Sequence, residues 1–156
     1  KRRGVITTLD EFASTPDDLP KVERLLPFTD YFMPSEEEAR ALSGLKENRD
    51  LAQFLLDRGA QCVILTLGAD GAFYRHRNGD EFHVPAFRVE VKCTCGCGDA
   101  FNAGFAVALC HGFDAETAVR FAQATSALNA TGLGSQAGVT SFDDTLEFMK
   151  TTKTKA

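Results

Sequence analysis

The sequence predicts an α/β fold with a mostly parallel sheet flanked by helices. Apolar, β-branched runs alternate along the chain with segments of helical character, and this alternation is typical of such folds. The run QCVILTLG at 61–68 is continuously apolar, as expected of a strand that is buried on both faces. The chain has 156 residues, of which 44% are hydrophobic, so it can bury a sizeable core.

The first half of the chain contains strands and helices in alternation. Its predicted elements are strands at 4–10, 29–34 and 61–68, and helices within 16–28, 35–44 and 49–60. Ser35 is a suitable N-cap for the helix over 35–44, and Gly44 is a suitable stop. The third helix is predicted by the spacing of apolar Leu51, Phe54 and Leu55.

The second half begins with a turn and a hairpin and is mainly helical after that. Its predicted elements are a turn at 68–71, a hairpin over 72–87, a helix from about Asp99 to about Cys110, a helix at 114–131, a loop at 132–138 and a helix at 141–149. Asn78 and Gly79 form a favoured hairpin tip. Gly112 separates two helices, and Ser141 is expected to open the last one.

The domain prediction is one nucleotide-binding portion over 1–150, followed by a frayed tail at 151–156. The first strand has no crossover unit before it, and the sequence does not begin with methionine. We therefore expect the chain to be a piece of a longer protein.

Charge and cysteine content narrow the function classes. The net charge is −5, which is unfavourable for sequence-independent nucleic-acid binding. No apolar run approaches the roughly 18 residues of a membrane span. The five cysteines are an odd number without an evenly spaced framework, which favours a reducing, cytoplasmic location.

The segment VKCTCGCGDAFNAGF at 91–105 contains the most informative residues. Its three cysteines could be thiolate ligands of a metal, but a closed zinc site needs four ligands, usually in two separated pairs. Gly96 and Gly98 instead suggest a tight turn before a helix, where backbone N–H groups bind anions. Asp99 follows at once. It would repel an anion, which suggests that it accepts a proton from an attacking hydroxyl, although it could merely cap the helix.

The string GCGDAFNAGF resembles the second signature of the ribokinase-like, or pfkB, family of carbohydrate kinases. The matching positions are Gly96, Gly98, Asp99, Phe101 and Gly104. The resemblance implies a ribokinase-like fold, of which this chain would be the C-terminal portion. It further implies that Asp99 is the catalytic base, and that the N–H groups of Gly96, Cys97 and Gly98 form the anion hole for the γ-phosphate of ATP.

Other segments extend the resemblance to the nucleotide side of the family's site. TLGADG at 66–71 is similar to the family's Thr-x-Gly-x-x-Gly turn, which implies that Thr66, Gly68 and Gly71 face ATP. Counted from Asp99, Gln123 matches an adenine contact, and Gly134 lies in the loop near the monovalent-cation site. The simpler interpretation is that Gln123 is ordinary helix surface and that Gly134 lies in an ordinary turn.

The segment PSEEEAR at 34–40 has two interpretations. The family has Asn-x-x-Glu here, in which the glutamate acts on Mg²⁺ through water, and this implies the same role for Glu38. Ser35 and Glu38 also have the spacing of a capping box, which requires no function. The two interpretations are compatible.

The sequence departs from the family in the residues before Gly96. The family has Asp-Thr-Thr where this chain has Cys93-Thr94-Cys95, and a thiol is a poor ligand for potassium. This difference puts dependence on a monovalent cation in doubt. The family's sugar contacts and lid lie outside this chain, so the resemblance leaves the acceptor open and suggests a homodimer through the lid.

We therefore predict the nucleotide-binding portion of a kinase that transfers a phosphoryl group from Mg-ATP to a sugar or sugar-like hydroxyl. The expected partners are a small sugar and ATP, without nucleic acid or membrane, and the segment alone is expected to be inactive. A non-catalytic nucleotide-binding module is the main alternative, and a thiolate metal-binding domain is a third hypothesis.

Overall fold

The computed structural model describes residues 4–10 and 15–155, which are arranged in two compact units. The first unit comprises Lys1–Leu67 and Phe73–His83, and the second comprises Gly68–Ala72 and Val84–Ala156. Each unit is described by itself below.

A sheet of five strands, counted over the described residues, belongs mainly to the first unit. The strands, in their order across the sheet, are β1 (Thr8–Leu9), β2 (Tyr31–Phe32), β3 (Cys62–Thr66), β4 (Ala72–His76) and β5 (Glu81–Val84). β1 pairs with β2 and β2 pairs with β3, in both cases parallel, as the sequence predicts. β1 and β2 are shorter than predicted. Pro34, which follows β2 closely, has no N–H to donate to a continued ladder.

The first unit also contains three of the α-helices found in the described ranges. They are α1 (Leu19–Glu23), α2 (Glu36–Ser43) and α3 (Asn48–Asp57). Leu51 and Leu55 of α3 are fully buried in one core cluster with Val63 and Leu65 of β3. α2 follows the predicted N-cap Ser35 and ends at Gly44, whose φ of 72° is left-handed.

The second unit contains three α-helices in its described residues, α4 (Cys97–Cys110), α5 (Ala115–Ala130) and α6 (Phe142–Thr151). α4 packs closely along α5 because Gly104 has no side chain. A Cβ atom there would lie 2.6 Å from Thr125 Oγ1 and 3.1 Å from Ala122 Cα. Within the described ranges, no helix is both long and apolar enough to cross a membrane.

The prediction of a frayed tail over 151–156 is wrong for the part of it that the structure describes. Thr154 forms an antiparallel bridge with Phe87. The Arg88 N–H donates to Lys153 O at 2.9 Å, and the Lys155 N–H donates to Ala86 O at 2.7 Å. These backbone hydrogen bonds order residues 153–155, although the polar composition of the tail predicts that it is unstructured.

Candidate active site

Gly96 is the N-cap of α4 and determines how the cysteine loop enters that helix. Its φ of 70° is left-handed, a conformation that glycine adopts without steric cost. A Cβ atom at Gly96 would also lie 2.3 Å from Ser135 O, so the loop after α5 leaves no room for a side chain. α4 therefore begins at Cys97, two positions before the predicted start at Asp99.

The first turn of α4 presents unpaired backbone N–H groups. Those of Gly96, Gly98 and Asp99 have no acceptor among the described residues, whereas the Cys97 N–H donates to Thr94 O at 3.2 Å. Space beside Gly98 is open, because a Cβ atom there would meet nothing within 4 Å. Unpaired N–H groups at the positive end of a helix dipole can bind an anion. In this structure the Asp99 N–H is available for that role and the Cys97 N–H is already engaged.

Asp99 lies in the first turn of α4 with an exposed side chain. The alternative that it caps the helix is wrong, because Gly96 is the N-cap and no side-chain capping bond is present. Its carboxylate makes no hydrogen bond or ion pair with any residue that the structure describes. The Asp99 carboxylate is therefore exposed beside backbone N–H groups that have no acceptor among the described residues.

The three cysteines of the loop differ in their surroundings. The Cys95 N–H donates to Cys93 Sγ at 3.4 Å. This bond, the Cys95 thiol and the Gly134 N–H together lower the pKa of the Cys93 thiol below its ordinary value. The hydrogen bond to Cys93, together with the charge of that sulfur, raises the pKa of Cys95. Cys97 Sγ lies 3.6 Å from Ser126 O, turned against α5.

The part of the chain that the structure describes offers no set of ligands for the metal-binding alternative. All five cysteines, which lie within the described ranges, are free thiols. Among residues 4–10 and 15–155, no three His, Cys, Asp or Glu side chains form a group that could hold a metal ion.

Asn129, on α5, holds the loop in place and received no role from the sequence. Its side chain is fully buried, and Nδ2 donates to Cys95 O at 3.0 Å. Its Oδ1 has no partner among the described residues. In the sequence, Asn129 is distinguished only as the one amide in the run SALNAT at 126–131. Its partner Cys95 is distant in sequence, so this contact could not be predicted from neighbouring residues.

Of the two predicted nucleotide contacts that follow α4, Gly134 lies beside the cysteine loop. Its φ is 123°, and its N–H helps to lower the pKa of the Cys93 thiol. Gln123 lies on α5 and is only 6% exposed. The reading of Gln123 as ordinary helix surface is therefore wrong, because most of this residue is covered.

Thr66, Gly68 and Gly71, the residues of the turn at 66–71 that were predicted to face ATP, do not all belong to one unit. In the first unit, the Thr66 N–H donates to Pro34 O at 3.1 Å and so lies at the entry to α2. In the second unit, Gly68 has a φ of 56° and open space at its Cβ position. Gly71 has a φ of 101°, and a Cβ atom there would lie 2.0 Å from Val84 O. Both glycines therefore occupy conformations that other residues rarely adopt.

Glu38 forms the predicted capping box with Ser35. Its Oε2 accepts hydrogen bonds from the Ser35 N–H and from Ser35 Oγ, both at 2.7 Å, and the Glu38 N–H donates to Ser35 Oγ at 3.2 Å. Glu38 is half-buried, and its Oε1 accepts no hydrogen bond from the described residues. One carboxylate oxygen thus fixes the side chain while the other keeps its capacity as a ligand.

Solved structures similar to this chain define its class. The structure of an aminoimidazole riboside kinase from Salmonella enterica, complexed with aminoimidazole riboside and an ATP analogue, matches 95% of this chain with a TM-score of 0.85 and 30% identity. That of a candidate ribokinase II from E. coli, in complex with ATP and Mg²⁺, matches 96% with a TM-score of 0.83 and 29% identity. The fold is therefore ribokinase-like, an α/β sheet flanked by helices.

Sequence comparison gives the family. The pfkB family of carbohydrate kinases matches residues 4–141, and a ribokinase of Haemophilus influenzae is 34% identical over 133 residues, which are 82% of this chain. The chain belongs to the pfkB family of carbohydrate kinases. It spans 43% of the length of that ribokinase, and 53% and 50% of the two matched structures.

Proposed function

We propose that this chain is the nucleotide-binding, C-terminal portion of an ATP-dependent sugar kinase. The observation that carries the proposal is the first turn of α4, where the exposed carboxylate of Asp99 stands next to the unpaired N–H groups of Gly98 and Asp99. Family membership supports it, as do the ATP and Mg²⁺ named for the E. coli structure and the riboside named for the Salmonella one. The acceptor is a hydroxyl of a sugar or a sugar-like molecule.

In the proposed reaction, Asp99 accepts the proton of the sugar hydroxyl. The hydroxyl oxygen forms a bond to the γ-phosphorus of ATP as the bond to the bridging oxygen of ADP breaks. Negative charge develops on the transferring phosphoryl group, and the N–H groups of Gly96, Gly98 and Asp99 stabilise it. Cys97 was predicted to share this role, and its N–H would first have to leave Thr94 O.

Mg²⁺, when bound, neutralises charge on the phosphates of ATP. It favours oxygen ligands and keeps several waters, so one carboxylate is a sufficient protein contribution. Glu38 fits this requirement, because its Oε1 is without a hydrogen-bonding partner in the described ranges while Oε2 is held by Ser35. On the nucleotide side, we propose that Thr66, Gly68, Gly71, Gln123 and Gly134 contact ATP, as the family resemblance implies. Cytoplasmic location and a homodimer remain predictions.

The proposal is tested in the longer protein that contains this chain by changing Asp99→Asn. Loss of a general base is expected to lower kcat by about 10²–10⁴-fold, while ATP affinity changes little. Asp143→Asn is the matched control, because Asp143 is also an exposed carboxylate in a first helical turn, that of α6. Near-normal kcat in the Asp99 variant would refute the base assignment.

A sugar panel separates the kinase from a nucleotide-binding module. Phosphoryl transfer from Mg-ATP to one of the sugars, by the longer protein, is the expected result. ATP binding with no transfer to any sugar, or with ATP hydrolysis alone, would favour the module instead.

A further inference from the structure

The cysteine loop contains a thiol pair to which the proposed kinase reaction assigns no role. We propose that Cys93 is a thiol-modification site, at which a low-molecular-weight disulfide forms a reversible mixed disulfide beside the Cys95 thiol. The two residues are in contact, since the Cys95 N–H donates to Cys93 Sγ at 3.4 Å. Cys95 is exposed and Cys93 is half-buried, so a small reagent can reach the pair from solvent.

The surroundings of Cys93 favour its thiolate, which is the reactive form of a thiol. The backbone N–H of Cys95 donates to this sulfur at 3.4 Å, and this bond, the Cys95 thiol and the Gly134 N–H together lower the pKa of the Cys93 thiol. These groups belong to the cysteine loop and to the turn after α5. The two segments approach each other closely at Gly96, where a Cβ atom would lie 2.3 Å from Ser135 O.

The other cysteines are less suited to this reaction. Cys62 is buried in β3, and burial raises its pKa to about 12. Cys97 is half-buried, with Sγ 3.6 Å from Ser126 O. Cys110 is exposed at the end of α4, and its sulfur receives no hydrogen bond from any residue that the structure describes.

The step is a thiol–disulfide exchange that balances without another reactant. The Cys93 thiol first gives its proton to solvent. Its sulfur then attacks one sulfur of the disulfide R–S–S–R, so a Cys93–S–S–R bond forms as the original S–S bond breaks. The released RS⁻ takes a proton from solvent. A Cys93–Cys95 disulfide is not the expected product, because a bridge within Cys-x-Cys is strained.

The adduct is expected to weaken ATP binding, and this part of the inference rests on the proposed function. Thr94 O accepts from the Cys97 N–H, which ties the loop backbone to the start of α4, and Cys95 O accepts from Asn129 Nδ2, which ties it to α5. A bulky group on Cys93 would press on the turn that carries Gly134. The unpaired N–H groups that follow in α4 would then lose their alignment.

The experiment incubates the purified longer protein that contains this chain with oxidised glutathione at neutral pH, and it follows Cys93, Cys95 and Cys110 by peptide mapping and mass spectrometry. Cys93 should be glutathionylated about tenfold or more faster than Cys110, and dithiothreitol should remove the adduct. Cys110→Ser is the control variant and should leave the rate at Cys93 unchanged. Equal rates at Cys93 and Cys110, preferential modification of Cys95, or loss of two hydrogens without an adduct would each overturn the assignment.

ATP binding is measured on the same samples, so failure of the two proposals can be told apart. The modified protein should bind ATP about tenfold or more weakly than the untreated protein. Equal affinity would overturn the coupling of Cys93 to the phosphate site. If the untreated longer protein binds no ATP, the proposed function fails, while the mass data still decide whether Cys93 is the modification site.

Discussion

Two alanine substitutions test the cysteine loop: Gly96→Ala tests its conformation, and Gly98→Ala tests the proposed binding of phosphate. Gly96→Ala places a methyl group in a left-handed conformation, which costs about 1–2 kcal/mol. The methyl carbon would also lie 2.3 Å from Ser135 O, so the loop must move, at a further cost of about 1–3 kcal/mol. For a chain of this size, where 1 kcal/mol corresponds to about 2–4 °C, the melting temperature should fall by about 4–20 °C.

Gly98→Ala should leave the fold intact and weaken ATP binding. Its Cβ position is open, and alanine favours a helix over glycine by about 1 kcal/mol, so the melting temperature should hold or rise slightly. Helical Cβ atoms tilt toward the N-terminus, where the unpaired N–H groups lie. A displaced phosphate would lose at least one charged hydrogen bond, about 1.5–3 kcal/mol, or about 10–100-fold in affinity.

Gly112→Ala is the control for backbone strain alone. Gly112 has a φ of 79°, similar to that of Gly96, but a Cβ atom there would meet nothing within 4 Å. Thermal melting and ATP titration of the three variants separate the strain, the contact with Ser135 and the phosphate site. Equal losses of stability for Gly96→Ala and Gly112→Ala would refute the contact, and normal ATP affinity for Gly98→Ala would refute the phosphate site.

Two further predictions concern the support of the loop. Cys97→Ala should change neither ATP affinity nor melting temperature by much, because only the backbone at this position is proposed to bind phosphate. Cys97→Leu should destabilise by about 1–3 kcal/mol by crowding Ser126 O, and a leucine variant as stable as the alanine variant would contradict the packing. Asn129→Ala leaves the Cys95 carbonyl without its donor, and we expect a loss of about 1–3 kcal/mol, measured by melting. Unchanged stability would show that Asn129 does not hold the loop.

The helix starts that could be predicted from the sequence are those determined by local contacts. Ser35, Asp114 and Ser141 each accept a hydrogen bond from a backbone N–H three residues later, so nearby residues are enough to identify them. The start of α4 could not be predicted in this way. Gly96 opens that helix in a left-handed conformation, pressed against Ser135, which is remote in sequence.

The site was predictable to the extent that it depends on side-chain identity. The string around Asp99 indicated the carboxylate and the glycines, and the capping box of Glu38 followed from its spacing. The engagement of the Cys97 N–H by Thr94 O depends on loop geometry that no residue type specifies. The docking of Thr154 on Phe87 is likewise a pairing of backbone groups, so the polar composition of the tail gave no indication of it.

The same distinction explains how a thiol-rich loop is compatible with phosphate binding. The proposed cradle uses backbone N–H groups, so positions 93, 95 and 97 require only side chains that leave the loop geometry unchanged. Gly96 is different, because its φ of 70° and its contact with Ser135 both exclude a side chain. Asp99 is different again, because its proposed role depends on the carboxylate itself. Cysteines can therefore occupy positions 93, 95 and 97 without altering the proposed cradle. Cys93 in addition places the proposed reactive thiol next to that cradle.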